Sequence, residues 1–175
     1  MLSIGDKFPE FSLTSVINGK SEFETISNTS YKGKWLVVFS WPKDFTFVCP
    51  TEMVTFGQLN KDFEEANAKL LGFSTDNEFV HQAWLKDHKL LNEFVSFPMM
   101  SDIKRELSSQ LGIIDKDAGV AQRATYIINP EGEIKFVYVT DLNVGRDPKE
   151  VLRVLNALQT GELCPASWSK GKPTL

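Results

Sequence analysis

Cysteine is almost absent from this chain, because only Cys49 and Cys164 occur among its 175 residues. The chain therefore has no Cys-x-x-Cys redox pair and no four-cysteine zinc site. In a reducing cytosol a permanent disulfide between these distant cysteines is disfavoured, whereas a transient catalytic disulfide is permitted. Histidine is equally scarce, and the spacing of His81 and His88 fits two turns of one helix face. We expect both to be surface or helix-packing residues rather than metal ligands.

The chain also lacks a dense run of Lys or Arg, and its net charge is −4. Nucleic-acid binding is therefore not expected. No uninterrupted apolar stretch approaches membrane-spanning length, and the N-terminus lacks the basic and apolar blocks of a signal peptide. We therefore expect a cytoplasmic protein without membrane contact. The length suits one globular domain, although two small domains would also fit it.

The stretch that carries most of the chemistry is residues 41–52, WPKDFTFVCPTE, which follow a dense apolar run at 35–40. That run predicts a buried strand, and an apolar stripe beginning near Thr51 predicts an amphipathic helix. Cys49 thus lies where a strand gives way to a helix, and the positive end of a helix dipole stabilises a thiolate. The alternative for a lone cysteine is a small buried hydrophobe.

Two neighbours of Cys49 favour the reactive interpretation. Thr46 lies three residues earlier, close enough in a tight turn for its hydroxyl to reach the same pocket. There it could hydrogen-bond the sulfur or an incoming oxygen atom, although a turn or cap residue is the alternative. Pro42 restricts the loop and can shield a thiolate from bulk water, although it could simply end the strand.

Strand and helix patterns alternate along the first two thirds of the chain, and a hairpin and a final helix follow. We predict an α/β fold with a central mixed β-sheet flanked by helices. Residues 1–161 form this domain, and residues 162–175, which have no helical stripe, form an extended C-terminal arm. Phe79, Ala83 and Trp84 are expected to make the apolar contacts of the second helix. The predicted strands lie within 1–13 as an edge strand and at 35–40, 69–74, 97–102, 124–129 and 134–139, and the predicted helices at 51–68, 77–88, 103–111 and 147–158.

The spacing Pro42-x-x-x-Thr46-x-x-Cys49 and the fuller DFTFVCPTE at 44–52 resemble the active site of peroxiredoxins, in particular the typical two-cysteine, alkyl hydroperoxide reductase C-type branch. The resemblance covers nearly the whole chain and continues through residues 76–84, 123–125, 143–146 and 161–165. It implies a thioredoxin-like fold, which agrees with the order of strands and helices. It also implies a thiol-dependent peroxidase for hydrogen peroxide and small organic hydroperoxides that uses no cofactor or metal.

The resemblance further implies a role for each residue of the motif. Cys49 would be the peroxidatic cysteine, Thr46 would hydrogen-bond the peroxide, and Pro42 would wall off the pocket. Arg123 would hold the thiolate and donate to the reacting oxygens, although spacing alone leaves it a solvated strand-end residue. Glu52 would orient this arginine; its alternative is an ordinary first-turn acid favoured by the helix dipole.

The resemblance extends to the cycle and the assembly. Arg146 falls in a segment that recurs in the family and is expected to support the site. Cys164 matches the resolving cysteine, which condenses with a sulfenic acid to form a disulfide. In this branch Cys49 of one chain bonds Cys164 of its neighbour in a homodimer. Dimers are expected to form a ring-like decamer, with Phe45 and Asn77 in segments near the contact between dimers. The reductant would be a dithiol protein, such as thioredoxin or a dedicated flavoprotein reductase.

Three features depart from variants of the family. No Gly-Gly-Leu-Gly insertion lies between Trp84 and Phe97, and the sequence ends at Leu175 without the Tyr-Phe helix that marks members sensitive to overoxidation. We therefore expect easier local unfolding and resistance to sulfinic acid formation. Trp41 stands where Tyr or Phe is usual, and we expect this change to affect packing more than chemistry.

Two other functions remain open from the sequence. A redox-regulated chaperone or peroxide-signalling protein would use the same scaffold with assembly or partner exchange as its main output. Client protection that survives Cys49→Ser would favour it. A thioredoxin-like disulfide exchanger is the other alternative, but the absence of Cys-x-x-Cys weakens it.

Overall fold

A computed structural model describes residues 1–175, and its seven strands form one sheet. The sheet is mixed, as predicted. The strand order is β2-β1-β5-β4-β3-β6-β7. The pairs β3–β4 and β4–β5 are parallel, and all the other pairs are antiparallel. The strands are β1 (Ser12–Val16), β2 (Glu24–Ser27), β3 (Trp35–Ser40), β4 (Ala68–Ser74), β5 (Met99–Ser101), β6 (Arg123–Ile128) and β7 (Ile134–Thr140).

Six α-helices cover the sheet, and none is long and apolar enough to cross a membrane. Side chains from five of them join one hydrophobic cluster, whereas α5 and the N-terminal segment contribute to a second cluster. The helices are α1 (Val48–Gln58), α2 (Asn60–Glu65), α3 (Glu78–Asp87), α4 (Lys89–Phe94), α5 (Glu106–Leu111) and α6 (Pro148–Thr160).

The continuous apolar run at β3 is explained by its position between the two clusters. Val37 and Phe39 belong to the cluster that contains Cys49, and Leu36 and Val38 belong to the other. Because successive strand residues point to opposite faces, a strand covered on both faces needs apolar residues at every position. The strand therefore ends in a well-packed part of the molecule, next to the segment that leads to Cys49.

The helix that carries Cys49 differs from the prediction at both ends. It begins at Val48 rather than near Thr51, so Cys49 lies in its first turn. The predicted helix over 51–68 is also interrupted at Leu59, which separates α1 from α2. Phe56 and Phe63 nevertheless belong to the same buried cluster, so the apolar stripe continues across the break. Periodicity detects the shared buried face but not the change from one helix to the next.

Two other local predictions need correction. The first strand lies at Ser12–Val16 between β2 and β5, so β2, rather than the first strand, is the edge. On α3, Trp84 is buried as predicted, but Ala83 is exposed and Phe79 is 66% exposed. Phe79 packs edge-on against Phe23 rather than into the core. His81 is completely buried on α3, which agrees with the predicted helix-packing role and not with a surface position.

Candidate active site

Cys49 is delivered by the crossing from β3 to α1. Trp41 donates its backbone N–H to the Phe73 carbonyl at 3.1 Å, which extends the sheet pairing one residue beyond β3. The chain then turns through residues 42–47 and enters α1, where Cys49 is the second residue and is 1% exposed. Its sulfur is thus removed from bulk water beside the first turn of a helix, where backbone amides and the helix dipole favour negative charge.

Arg123 is the cation that contacts this sulfur. It is the first residue of β6, and its Nη1 lies 3.3 Å from Cys49 Sγ and 2.8 Å from Glu52 Oε2. Its Nε donates to the Leu142 carbonyl at 2.8 Å. These contacts fix the plane of the guanidinium, so one N–H group stays directed at the sulfur. The residue is 4% exposed and is therefore not a solvated strand-end residue.

Glu52 lies between two buried arginines. Its Oε1 accepts from the backbone N–H and Nε of Arg146, both at 2.8 Å, and its Oε2 accepts from Arg146 Nη2 at 3.0 Å. Burial alone would raise the pKa of Glu52, but the hydrogen bonds and charge of Arg146, with the charge of Arg123, outweigh it and hold the pKa below its usual value. Glu52 is in the second turn of α1, so it is not a first-turn acid stabilised by the dipole.

The charges of Glu52, Arg123 and Arg146, here called the arginine–glutamate cluster, do not cancel. Two guanidinium groups stay charged at neutral pH, and one ionised carboxylate lies between them. One positive charge therefore remains in this buried site. Within it, Arg123 Nη1 is the group that contacts the Cys49 sulfur. Negative charge that develops beside Arg123 Nη1 during a reaction would be stabilised by this net positive charge.

Arg146 supports this arrangement without touching the sulfur. Its side chain is completely buried, donates to the Ala124 carbonyl at 2.7 Å and lies over the rings of Phe39 and Phe56. The preceding Gly145 lets this segment approach α1 closely, because a Cβ at position 145 would lie 3.3 Å from Val48 Cγ1. The segment 143–146 thus packs directly on the helix that carries Cys49.

Thr46 and Pro42 belong to the loop in front of Cys49. Pro42 is buried immediately after Trp41, whereas Thr46 is partly exposed. The Thr46 hydroxyl donates to the Lys43 carbonyl at 2.9 Å. A hydroxyl has one hydrogen and two lone pairs, so its oxygen can still accept a hydrogen bond from an incoming group.

Cys164 lies apart from these residues, at the end of α6. Its Sγ is 3.4 Å from Thr160 Oγ1 and 3.7 Å from the Ala157 carbonyl, and both cysteines are free thiols. Residues 162–175 contain no helix or strand, but Trp168 is buried and its carbonyl accepts from Arg153 Nη1 at 2.9 Å. The arm is therefore irregular in structure yet attached to α6.

Comparison with known proteins decides the family. Residues 4–137 match the AhpC/TSA family. The alkyl hydroperoxide reductase C of Mycolicibacterium smegmatis is 51% identical over 185 aligned positions, spanning all of this chain and 94% of that protein. The chain belongs to the AhpC/TSA family. The predicted resemblance is thereby confirmed.

Solved structures of relatives agree with the fold of this AhpC/TSA member. Mycobacterium bovis AhpC superposes with a TM-score of 0.88 at 49% identity, over 96% of this chain and 98% of that one. A reduced Plasmodium vivax 2-Cys peroxiredoxin gives a TM-score of 0.91 at 32% identity, over 97% of this chain and 91% of that one. The predicted thioredoxin-like fold is confirmed.

Besides the arginine–glutamate cluster, the structure contains a second buried polar group, formed by Trp41, Asp44 and His81, which the sequence did not predict. Asp44 lies inside the recognised motif and His81 inside the segment 76–84, but no local pattern joins positions 37 residues apart. The only signal available was a carboxylate and a histidine in segments that flank the sheet. Elsewhere, no group of three or more His, Cys, Asp or Glu side chains is arranged to hold a metal ion.

Proposed function

We propose that Cys49 carries out the reduction of hydrogen peroxide and small organic hydroperoxides by this chain. The chain is a thiol-dependent peroxidase by family, and relatives are named alkyl hydroperoxide reductase C and peroxiredoxin. The thiolate of Cys49 attacks one oxygen of the peroxide, and the O–O bond breaks as an S–O bond forms. Cys49 becomes a sulfenic acid, and the other oxygen takes a proton and leaves as water or an alcohol.

The observation that carries this proposal is the 3.3 Å contact between Arg123 Nη1 and Cys49 Sγ, backed by the unbalanced positive charge of the arginine–glutamate cluster. As the O–O bond breaks, negative charge moves from sulfur toward the leaving oxygen. A fixed guanidinium beside both atoms can follow that charge without reorganising. Glu52 and Arg146 act through Arg123, because they hold its position and set the charge of the site.

Thr46 and Pro42 complete the peroxide pocket in this proposal. The Thr46 oxygen accepts the hydrogen bond of a peroxide O–H group, since its own hydrogen is engaged by Lys43. This contact would turn the O–O bond toward the sulfur, and alignment of reacting atoms is a large part of such catalysis. Pro42, which is buried directly after Trp41, would limit the access of water to the pocket.

The second half of the cycle is resolved by Cys164 of a partner chain. Its thiol attacks the Cys49 sulfenic acid, a disulfide forms and water leaves. Cys49 is buried and Cys164 is held at the end of α6, so the first turn of α1 and residues 162–175 would both move.

A dithiol protein, thioredoxin or a dedicated flavoprotein reductase, then reopens the disulfide. Homodimers would assemble into a ring-like decamer, and a reducing cytoplasm suits the cycle.

Non-reducing electrophoresis after one equivalent of peroxide tests this cycle. The parent should form a covalent dimer, whereas Cys49→Ser and Cys164→Ser should not, and Cys164→Ser should still consume peroxide once per chain. Mass spectrometry of that variant should find a sulfenic acid at Cys49. A covalent dimer in Cys164→Ser, or oxidation that leaves Cys49 untouched, would overturn the assignment.

A further inference from the structure

Asp44 is the buried polar centre of the loop that precedes Cys49. Its side chain is 1% exposed, and its Oδ1 accepts from Trp41 Nε1 at 2.6 Å while its Oδ2 lies 2.6 Å from His81 Nδ1. The backbone N–H of Asp44 donates to Asp76 Oδ2 at 2.8 Å. The loop is thereby tied to the end of β3, to α3 and to the segment after β4. These three residues, Trp41, Asp44 and His81, are called the Asp44 cluster.

The hydrogen-bond partners of His81 make the pairing with Asp44 specific. His81 Nε2 lies 3.1 Å from the Met100 carbonyl, which can only accept, so this nitrogen carries a hydrogen. The 2.6 Å contact between Nδ1 and Asp44 Oδ2 joins the two side chains. His81 therefore connects β5 and α3 to the loop that precedes Cys49.

The rest of the loop has few comparable attachments. Phe45, directly after Asp44, has a left-handed backbone with φ of 55°, a conformation that non-glycine residues adopt at a cost. Phe47 is 93% exposed, and it precedes α1 without a side-chain cap for the helix. The Thr46 hydroxyl bonds only within the loop, to Lys43. A strained, uncapped segment depends on its few buried contacts to stay folded.

We propose that the Asp44 cluster positions the loop and the first turn of α1, and that it sets how readily they unfold to release Cys49. The inference rests on the proposed function, in which Cys49 reacts with peroxide while folded and reaches Cys164 only after local unfolding. Contacts that stabilise the folded loop slow disulfide formation and lengthen the time in which a second peroxide can oxidise the sulfenic acid. His81 and Trp41 are positioning residues, since neither touches the sulfur.

Asp44→Ala tests the cluster, and Asp44→Asn serves as its conservative rescue. An asparagine can accept from Trp41 and donate to His81 in its neutral form, so it should behave like the parent. In Asp44→Ala, stopped-flow measurements should show disulfide formation accelerated about tenfold, as expected for the loss of a buried hydrogen-bonded partner. The first peroxide reaction should change little, because most molecules remain folded. Sulfinic acid, measured by mass spectrometry, should require a higher peroxide concentration.

Further variants separate this role from general destabilisation. Trp41→Phe removes one hydrogen bond while keeping an aromatic ring, so it should move the same quantities in the same direction if Asp44→Ala does not fold. Asp87→Ala, exposed at the end of α3, should match the parent. In reduced protein without peroxide, hydrogen exchange should increase in residues 42–52 and not across the sheet. The inference would be overturned if Trp41→Phe left both the rate of disulfide formation and the hydrogen exchange of the loop unchanged. It would also be overturned if hydrogen exchange increased equally throughout the chain. If the parent itself failed to reduce peroxide, the proposed function would fail instead, while the exchange result would still report on the loop.

Discussion

Glu52 is the residue on which the charge of the site depends, because it is the one carboxylate between two buried arginines. Its pKa is lower in the folded protein than its usual value of 4.5. The ionised form therefore stabilises the fold fully above pH 4.5, and this contribution is lost as the pH falls through the lower folded-state pKa. A single carboxylate thus links the proposed peroxide site to the acid stability of the molecule.

Glu52→Gln should lower the free energy of unfolding by about 3 kcal/mol at neutral pH, because two buried guanidinium groups lose their counter-charge. Urea unfolding should show the difference from the parent shrinking below pH 4.5, where the parent's carboxylate is progressively protonated. Glu131→Gln, at an exposed turn position, is the matched control and should leave the unfolding curve unchanged. A difference between parent and Glu52→Gln that does not vary with pH would contradict the assigned role.

Arg123→Lys isolates the geometry of the guanidinium from its charge. An ammonium keeps the positive charge but cannot bind the Leu142 carbonyl, Glu52 and the Cys49 sulfur in one fixed plane. The second-order rate of Cys49 oxidation by peroxide should therefore fall about 100-fold. Competition kinetics against a reporter peroxidase would measure it. Arg153→Lys, on α6 and outside the site, is the control, and an Arg123→Lys rate close to the parent's would show that charge alone suffices.

At the scale of elements, the packing of β4 against the end of β3 makes room for Trp41. A Cβ at Gly72 would lie 2.9 Å from Trp41 Cζ3, 3.0 Å from Phe39 Cζ and 3.2 Å from Phe97 Cε2. The absence of a side chain at Gly72 therefore leaves space for the ring of Trp41.

Gly72→Ala should destabilise the protein by about 2 kcal/mol, the typical cost of overpacking a core. The double variant Gly72→Ala with Trp41→Phe should lose less than the sum of the single losses, since the nearest clashing atoms are gone. Thermal or urea unfolding of the four proteins gives the coupling free energy. Strictly additive losses would mean that the strain falls on Phe39 and Phe97 instead.

The same elements show which parts of the fold were accessible from sequence. The start of α1 was placed three residues late, although Pro50 offered a signal, since proline is well tolerated in the first turn of a helix. The only local signal for the break at Leu59 is Gly57, two residues earlier, and the apolar stripe continues beyond the break. The neighbours of β1 also could not be read from periodicity, which reports faces and not strand order.

The candidate site likewise contains residues that the sequence predicts and contacts that it does not predict. Cys49, Arg123, Glu52 and Arg146 are predicted to share a site because the resemblance includes them, and the structure brings all four together. The pairing of Asp44 with His81 was missed, since two residues on separate elements meet only after the sheet has formed. Local patterns describe each segment, whereas buried polar partners depend on tertiary packing.

At the scale of the whole molecule, the two cysteines are separated within one chain. Cys49 is buried against the arginine–glutamate cluster, and Cys164 is held near Ala157 at the end of α6. Residues 162–175 are tied back by Trp168 to Arg153 and by the backbone N–H of Leu175 to the Leu163 carbonyl at 2.9 Å. A cycle that joins these sulfurs therefore needs movement at two places, and our proposal assigns the two sulfurs to different chains.

Mixing two variants that cannot complete the cycle tests that assignment. Cys49→Ser chains retain Cys164, and Cys164→Ser chains retain Cys49, so a mixed dimer contains one complete pair only if the disulfide crosses between subunits. After subunit exchange, random pairing makes half of the dimers mixed, and each has one working site of two. Peroxide turnover with a dithiol protein reductant should recover to about a quarter of the parental rate per chain, as two-fold symmetric pairing requires. Mixing without exchange of subunits is the control. Turnover that stays at the level of the separate variants would mean that Cys49 and Cys164 of one chain react together, because such a pair is absent from every chain in the mixture.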